Sequence, residues 1–396
     1  MKHTILLALA LATGLLTAAP TVSNISLTVD PESPNVKVTY AVSEPAVITA
    51  KFFSNGVQVP EEQVTHLVGD VCRRVEATAA GEVRTFWWAS DLEDWGSASH
   101  KLGRLRVELT AWVTTAPPMY MAVDLAVGTN VQFYASAAAV PGGVTSEIYK
   151  TEKMLFRKIP AKEVVWNMDC SSKTDNAQAL NTHRVVLSDD YYIAVYPVTQ
   201  GQSKRFCNEY RNGKARGDLL PVDYTSYSRL LGSDTAMAPS ANSDIGKLAA
   251  LSGIPSLNLP TEAQWEYACR ALTSTMWYNS GAWGDAGKIM WASGNSGKTL
   301  QPVGEKLPNG FGLYDMAGNV FEFCLDWYSG YEFTDANTAV RDPLQTTQPS
   351  SNKRVRRGGN YSVDYRFGNS GWRADIAYTS YDWGNGYRPV CAAVAY

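Results

Sequence analysis

The sequence predicts an α+β protein in which an all-β sandwich precedes a larger domain with little regular structure. Short segments from residue 20 onward alternate apolar and polar residues, as in residues 36–40 (VKVTY), and this period of two is typical of half-buried strands. Pro, Asn, Gly and Ser fill the breaks between these segments. From residue 151 onward glycine, asparagine and aromatic residues dominate instead, which predicts many loops and few helices.

The first nineteen residues predict a cleaved signal peptide. Lys2 and His3 form a short positive start, residues 5–16 are apolar, and small residues occupy positions 17–19. The apolar run is too short to span a bilayer, and no later segment is long and apolar enough to be a membrane helix. We therefore expect a protein without a membrane span that is periplasmic or secreted.

The remainder of the chain divides into three predicted parts. Residues 20–127 carry about seven short strands, a number that suggests an immunoglobulin- or fibronectin-like sandwich. Residues 128–150 are rich in small residues and contain Pro-Gly-Gly at 141–143, which predicts a linker. Residues 151–396 form the larger domain, in which we expect the function to lie.

Helix-start signals stand out at three places in this larger domain. The strongest is the segment 260–270, in which Thr261 is placed as the N-cap and Gln264 completes a capping box. Thr199 is placed to cap a second helix that continues to about Tyr210, and residues 243–251 fit a third.

Charge and cysteine spacing exclude two classes of protein. The net charge of −3 and the lack of a Lys/Arg cluster argue against a nucleic-acid partner. None of the six cysteines forms a C-x-x-C pair, which argues against a structural zinc ribbon. The cysteine spacing leaves disulfide connectivity open, and buried thiols are the simpler interpretation for several of them.

Several blocks of the larger domain resemble the sulfatase-modifying-factor family, which includes formylglycine-generating enzymes. They occur in the family's order, and they read YYIAVYPVTQ at 191–200, LPTEAQWEYA at 259–268, PNGFGLYDMAGNVFEF at 308–323, DWY at 326–328, RRGGN at 356–360 and GYR at 386–388. The resemblance implies the formylglycine-generating-enzyme fold, a C-type-lectin-like α+β arrangement with little regular structure.

The same resemblance allows the family's copper chemistry to be tested on these residues. Active members bind copper through two cysteines shortly after a G-G-S motif and convert a sulfatase cysteine into formylglycine. Here Asn360 takes the place of that serine, and the two cysteine positions fall at or near Val363 and Gly368. Copper(I) of this kind needs soft thiolate ligands. The sequence therefore predicts a divergent member that lacks the copper-binding cysteine pair.

An iron-dependent branch of the family is excluded by a count of histidines. That branch holds iron through histidines and joins sulfur to a histidine derivative. The chain has four histidines, of which His3, His66 and His100 precede the larger domain and only His183 lies within it. A three-histidine iron site cannot form in that domain.

The family's calcium site has candidate ligands here. Asp315 and Glu322 match its carboxylate ligands, and Gly318 and Val320 match its main-chain carbonyl ligands. Hard oxygen ligands suit calcium. Alternatively, Asp315 caps a turn and Glu322 pairs with an arginine. Asn295 lies in a second loop that offers a weaker calcium candidate.

The stretch from residue 358 to residue 388 has the composition of a binding surface. It contains eight aromatic residues among Asn, Ser, Asp, Arg and Gly, a mixture that is typical of paratope-like surfaces. In this fold the stretch lines the ligand groove. The candidate ligand-binding residues are Asn360, Tyr361, Trp372, Arg373, Tyr378, Tyr381, Trp383 and Arg388. We expect Trp372, Tyr378, Tyr381 and Trp383 to be exposed. The alternative is that half of the aromatics pack internally and that Arg373 and Arg388 pair with buried carboxylates.

Three functions remain open from the sequence. The leading hypothesis is an exported, calcium-stabilised, non-oxidase domain that binds a peptide or glycan ligand. The competing hypothesis is an active formylglycine-generating oxidase that converts a sulfatase cysteine. The third is a surface scaffold that binds no small ligand.

Overall fold

The computed structural model describes residues 19–30, 35–90, 105–169, 182–208, 215–330 and 338–396. The signal peptide lies outside the described residues apart from its last position, as do Cys170 and the predicted helix end at Tyr210. The described chain is mostly sheet, with few helices.

Eight strands are described in the N-terminal part. They are β1 (Val22–Val29), β2 (Val36–Val42), β3 (Ala46–Ser54), β4 (Val57–Gln58), β5 (Leu67–Gly69), β6 (Arg74–Val75), β7 (Arg84–Trp88) and β8 (Leu105–Val113). One sheet has the order β1-β2-β7-β5 and the other has the order β4-β3-β6, with β8 also paired to β3. Every second residue of β2 is buried, as its alternation predicts. That this part is immunoglobulin-like stays a prediction.

Twelve further strands are described in the C-terminal part. They are β9 (Tyr120–Asp124), β10 (Val131–Tyr134), β11 (Lys153–Ile159), β12 (Val165–Met168), β13 (His183–Val186), β14 (Tyr191–Ala194), β15 (Phe321–Trp327), β16 (Val340–Arg341), β17 (Lys353–Arg357), β18 (Ala374–Ala377), β19 (Asn385–Gly386) and β20 (Val390–Ala392). They form sheets of order β10-β9-β11-β14-β20, β12-β13-β16 and β18-β17-β15-β19.

This topology corrects the predicted domain boundary. Strands β9 and β10 pair with each other, and β9 also pairs with β11, so the larger domain begins before residue 127. The predicted linker 128–150 contains β10 and the start of a helix, and is therefore not a linker. Its small residues form compact turns against the sheet, which their composition alone does not distinguish from a flexible spacer.

The described residues contain six α-helices. They are α1 (Ile148–Thr151), α2 (Gln200–Cys207), α3 (Tyr227–Leu231), α4 (Asp244–Ser252), α5 (Glu262–Arg270) and α6 (Trp283–Ile289). The predicted capping box at Thr261 and Gln264 is present, and Thr199 caps α2. Among these helices, none combines the length and the apolar character that crossing a membrane requires.

The N-terminal sandwich packs directly against the larger domain. Val47 of β3 is fully buried in a core cluster whose other members come from the larger domain, among them Met121 and Phe133. The amide of Phe133 donates to the carbonyl of Cys72 at 2.7 Å. Apolar contacts and main-chain bonds of this kind hold the two parts together.

A buried network of charges fixes α5 against the sheet β18-β17-β15-β19. Glu262, in the first turn of α5, accepts from the guanidinium groups of Arg357 at 2.7 Å and Arg373 at 2.6 Å. Burial alone would raise the pKa of Glu262, but the two arginines outweigh it and hold that pKa below its usual value. Since all three residues are buried, none can lose its partner cheaply.

Asp326 of β15 completes this network from the opposite side of the helix start. Its carboxylate accepts from the amide of Glu262 at 2.6 Å and from the amide of Gln345 at 2.9 Å. Burial and the nearby Glu262 carboxylate raise the pKa of Asp326 to about 7. The folded protein therefore holds a proton that the unfolded chain releases near pH 4.

This raised pKa predicts a pH-dependent effect of Asp326→Asn. The stability that the proton confers is present in acid and is lost as the pH rises through about 7, because the ionised carboxylate is costly when buried. The asparagine of the variant does not titrate. Because it has one side-chain oxygen in place of two, the variant loses one of the two hydrogen bonds from main-chain amides at every pH. We expect its stability deficit, measured by urea unfolding, to shrink by at least about 1 kcal/mol between about pH 5 and pH 8. An exposed control, Asp189→Asn, whose side chain is 81% exposed, should show no such trend, and a deficit that stays constant or grows with pH contradicts the assignment.

Candidate functional site

A groove runs across the open face of the sheet β18-β17-β15-β19. Its two halves are each about 360 Å³ and share Phe321, Arg356 and Val363, so they form one continuous depression. The residues that line it are Lys298, Phe321, Tyr328, Arg356, Asn360, Tyr361, Ser362, Val363, Phe367, Trp372, Arg373, Ala374, Asp375, Asp382 and Trp383. Most of the groove lining thus comes from the stretch 358–388 that the sequence indicated, while Lys298, Phe321, Tyr328 and Arg356 lie outside it.

Two glycines turn the chain from β17 into the groove wall. Gly358 and Gly359 have φ values of 93° and 75°, a left-handed conformation that side chains rarely adopt. A Cβ on Gly359 would also lie 2.9 Å from the main chain of Phe367. Glycine is required here because the two loop segments touch, and this contact places residues 360–363 along the groove.

The two positions of the family cysteines have different surroundings. Val363 lines both halves of the groove. Gly368 is buried, and a Cβ built on it would meet the thioether of Met290, with its sulfur at 2.8 Å and its methyl carbon at 2.4 Å. The volume that a second side chain would need is therefore filled by methionine.

The described cysteines lie elsewhere. Cys269, Cys324 and Cys391 are buried, and Cys72 is half-buried in the N-terminal part. Burial raises the pKa of the Cys269 thiol to about 12, which disfavours the thiolate. No described cysteine lines the groove. Within the described residues, no group of three or more His, Cys, Asp or Glu side chains is placed to hold a metal ion.

The structure corrects the prediction that Arg388 contacts a ligand. This arginine is completely buried and donates to Glu322 at 2.9 Å and to the carbonyls of Ala194, Val195 and Tyr314. All of its donor groups are used inside the core, so it stabilises the fold and cannot reach a ligand. The alternative that it pairs with a buried carboxylate is the arrangement present.

Arg373 has a mixed position. Its guanidinium donates to Glu262 at 2.6 and 2.7 Å and to the carbonyl of Ser329 at 2.9 Å, while its edge contributes to the groove. It also lies 5.0 Å from the ring centre of Tyr328. Because its charge is matched by Glu262, Arg373 shapes the groove wall and positions Tyr328.

The four aromatic residues expected at the surface divide into two pairs. Tyr381 and Trp383 are 46% and 45% exposed. Tyr378 instead packs against the main core and meets Trp327 edge to face at 5.9 Å, and Trp372 is half-buried against Phe367 at 4.9 Å. The expectation of exposure is wrong for Tyr378 and Trp372, because each has an aromatic partner that sequence spacing does not indicate.

Asn360 and Tyr361 line the groove mainly through the backbone turn that they form. Both are buried, and the side-chain oxygen of Asn360 accepts from the amide and the hydroxyl of Ser362, each at 2.9 Å. The carbonyl of Tyr361 accepts from the hydroxyl of Ser296 at 2.6 Å. These bonds hold the groove edge in one conformation.

Sequence reasoning missed Arg356, which lies at the centre of the groove. Its guanidinium donates to the side chain of Asn385 at 2.7 Å and lies over the ring of Phe321 at 4.3 Å. Asp382 is a longer-range partner at 3.5 Å. Burial lowers the pKa of Arg356, and Asp382 and Asp375 act against that effect. Arg356 belonged to a recognised block, but nothing in its spacing indicated which way it faces.

Tyr224 was also missed. Its ring packs against that of Tyr381 with 5.6 Å between the ring centres, and both rings are exposed. A bridge between Thr225 and Asp382 joins the two loops that carry them. An exposed aromatic pair therefore continues the groove beyond Trp383.

The predicted calcium ligands lie together but are unequally available. Asp315 is buried with φ of 54°, and one of its carboxylate oxygens accepts from the amide of Gly304 at 2.7 Å. The other oxygen has no hydrogen-bond partner among the described residues. Glu322 is engaged by Arg388 and by the indole of Trp265 at 2.7 Å. The oxygen ligands that remain for a cation are thus the free carboxylate oxygen of Asp315 and main-chain carbonyls.

Gly318, one of the two main-chain candidates, and Asn295 are engaged in local hydrogen bonds. The carbonyl of Gly318 accepts from the amide of Val320 at 2.8 Å. The side chain of Asn295 accepts from Ala292 at 2.9 Å and donates to Met290 at 3.0 Å, which closes its own turn. The structure therefore gives Asn295 a turn-closing role in place of the predicted metal ligand.

Comparison with known proteins now adds to this geometry. Residues 158–393 match the family model of the sulfatase-modifying factor enzyme 1-like domain. A serine/threonine-protein kinase pkn1 of Chlamydia pneumoniae is 29% identical over 188 residues, which cover 46% of this chain and 29% of the kinase. A formylglycine-generating enzyme of Streptomyces coelicolor is 36% identical over 118 residues, 26% of this chain and 35% of the enzyme.

The chain thus spans about a third of the length of these relatives or less. Among solved structures, Treponema denticola variable protein 1 superimposes with a TM-score of 0.50 at 22% identity, over 61% of this chain and 95% of that protein. This likeness concerns the fold. Since the family model covers more than half of the chain, the protein belongs to the sulfatase-modifying-factor family.

Proposed function

We propose that this protein is an exported, non-oxidase member of its family whose groove binds a peptide or glycan ligand. One observation carries the proposal: of the two places where the family's active members hold copper thiolates, one is Val363 and the other is filled by Met290. The signal-peptide pattern of residues 1–19 supports the exported part of the proposal.

The loss of both thiols argues against oxidase chemistry. Cuprous ions prefer thiolate and thioether ligands, and a stable two-coordinate site needs two of them side by side. Val363 offers an alkyl group. Met290 offers one buried thioether, and no described thiol is near enough to the groove to line it.

The groove residues suit non-covalent binding. Exposed Tyr381 and Trp383 offer flat apolar faces, while Arg356, Ser362 and Asp382 offer hydrogen-bonding groups beside them. Rigid aromatic side chains lose little conformational entropy on binding, and short polar side chains adapt to the ligand. Because the hydrogen bonds of Asn360 and the close approach of Gly359 to Phe367 fix the groove edge, little ordering of the protein is needed when a ligand binds.

We also propose that a calcium ion stabilises the loop at Asp315. An unpartnered carboxylate oxygen in a buried site is costly, and burial raises the pKa of Asp315 to about 6. A cation would remove that cost if it were held by Asp315, by the carbonyls of Gly318 and Val320, and in part by the carboxylate of Glu322, which also pairs with Arg388. Its contribution would be to loop stability, since hard oxygen ligands hold calcium without redox chemistry.

The oxidase alternative is tested by incubating the purified protein with copper(I), oxygen and a peptide that contains C-x-P-x-R. We expect no conversion, because no cysteine among the described residues lines the groove to hold the metal. Mass spectrometry of the peptide measures the result, and an active formylglycine-generating enzyme serves as the positive control. Formation of formylglycine above the copper-only background contradicts the proposal.

Ligand binding is tested on glycan and peptide arrays with the full chain. For any ligand bound, we expect Trp383→Ala to weaken binding at least about tenfold, because an exposed aromatic in the groove supplies contact area. Tyr378→Phe is the matched control, since Tyr378 faces the core and the change keeps its ring. Arrays without a reproducible ligand favour the scaffold alternative, and equal effects of the two variants place the binding surface elsewhere.

Calcium binding predicts a shift of the melting temperature. A ligand that binds only the folded state stabilises it by about 2.7 kcal/mol when its free concentration is about 100 times Kd. We expect calcium to raise the midpoint over that in chelator for the unchanged protein and to have no effect on Asp315→Ala. Calorimetry checks both. Equal midpoints in calcium and in chelator for the unchanged protein remove the metal from the proposal.

A further inference from the structure

Arg356 has binding capacity left in the centre of the groove. A guanidinium carries five N–H donors. Its bond to Asn385 uses one of them at 2.7 Å, and its buried Nε has no hydrogen-bond partner among the described residues. The side chain is 17% exposed and lines both halves of the groove. A ligand in the groove therefore meets the terminal nitrogens of this guanidinium, whereas the buried Nε lies out of its reach.

Asp382 is the carboxylate closest to this cation, and it is placed to be exchanged. Its separation from Arg356 is 3.5 Å, longer than a charge-assisted hydrogen bond, and its side chain is 57% exposed. Exposed pairs of this length are weak. By contrast, the neighbouring Arg373 is held by Glu262 at 2.6 Å in the core. An anion from a ligand can thus replace Asp382 at Arg356 but cannot replace Glu262 at Arg373.

The surroundings of Arg356 favour a sugar over a peptide as the carrier of that anion. The ring of Phe321 lies under the guanidinium, Trp383 is exposed beside it, and Tyr381 with Tyr224 extends the apolar surface. The C–H faces of pyranose rings pack on flat aromatic faces, and their hydroxyl groups need short polar partners such as Ser362. Both halves of this groove are open to solvent, so an extended chain of sugar rings can lie along it.

We infer that the ligand of the groove is an anionic glycan whose uronate carboxylate or sulfate ester binds Arg356 in place of Asp382. The inference rests on the proposed ligand-binding function and adds the chemical class of the ligand. Guanidinium groups bind planar carboxylates and sulfate oxygens through paired N–H donors, so both sources of the anion fit Arg356. Lys298, which also lines this half of the groove, adds positive charge for the approach of such a ligand.

The test uses the full chain and matched pairs of polysaccharides. Polygalacturonate is compared with its methyl ester, and dextran sulfate with dextran, so that each pair differs in charge. Polyglutamate represents acidic peptides. Titration calorimetry at two salt concentrations measures affinity. We expect at least one anionic glycan to bind about tenfold more tightly than its neutral counterpart and than polyglutamate, with weaker binding at high salt.

Variants distinguish a specific contact of the ligand with Arg356 from a general attraction between opposite charges. Arg356→Gln should weaken the anionic glycan about tenfold or more, and Arg356→Lys should lose less because it keeps the charge but not the paired donors. Asp382→Asn should strengthen binding severalfold, because it removes the competing carboxylate. Asp189→Asn makes the same change of charge on an aspartate that is 81% exposed outside the groove, and it should have little effect.

The outcomes distinguish this inference from the function on which it rests. The role of Arg356 is overturned if neutral and anionic glycans bind equally tightly, or if Asp382→Asn binds the anionic glycan more weakly than the unchanged protein. If Trp383→Ala then loses that binding, the groove remains the binding site. Tighter binding of polyglutamate overturns the glycan class. If Arg356→Gln fails to fold, Arg356→Lys and Asp382→Asn decide the question. If no array or titration ligand binds, the proposed function fails as well.

Discussion

The groove exists because Glu262 holds two arginines from different strands. Arg357 ends β17 and Arg373 precedes β18, and both donate to this one carboxylate at the start of α5. Glu266 of the same helix supplies a second buried carboxylate to Arg357 at 2.9 Å, and charges in the core are tolerated only when they are paired, since each lone charge would carry a large desolvation cost. The pairing fixes the distance between α5 and the sheet β18-β17-β15-β19. It thereby also fixes the groove wall that contains Tyr328 and Trp372. The Glu322–Arg388 pair does the same for the opposite end of β15.

Much of the fold could be predicted from the sequence, since local signals agreed with the tertiary structure. The capping box of Thr261 and Gln264 starts α5 where predicted, and the alternation in β2 gives its buried face. The boundary at residue 127 failed because β9 and β10 are short, largely buried strands, and nothing local in their sequence separates them from the strands of the N-terminal part. β11, the partner of β9, begins more than twenty residues after β9 ends, and pairing at that distance leaves no local signal.

The candidate site was predictable as a region but less so residue by residue. Composition indicated the stretch after Gly358 and identified Tyr381 and Trp383 as exposed. It could not separate them from Tyr378, since the direction of a side chain in an irregular loop depends on distant partners such as Trp327. Arg356 and Arg357 are adjacent in the sequence and point to opposite faces of β17, one to the groove and one to the core. The alternation of a strand tells two such residues apart only once one face is known to be buried.

The filling of the space beside Gly368 by Met290 shows how this fold keeps its groove wall without the second family cysteine. A metal site needs its ligands placed within a few tenths of an ångström, whereas a binding groove needs only a stable wall and exposed contact groups. Methionine is flexible and apolar, so it closes the space beside Gly368 without a polar group that would need a partner. The wall between β17 and the loop at Phe367 is therefore complete without a metal. What the groove still offers to a ligand is the pairing capacity of Arg356 and the faces of its aromatic rings, and neither depends on a redox centre.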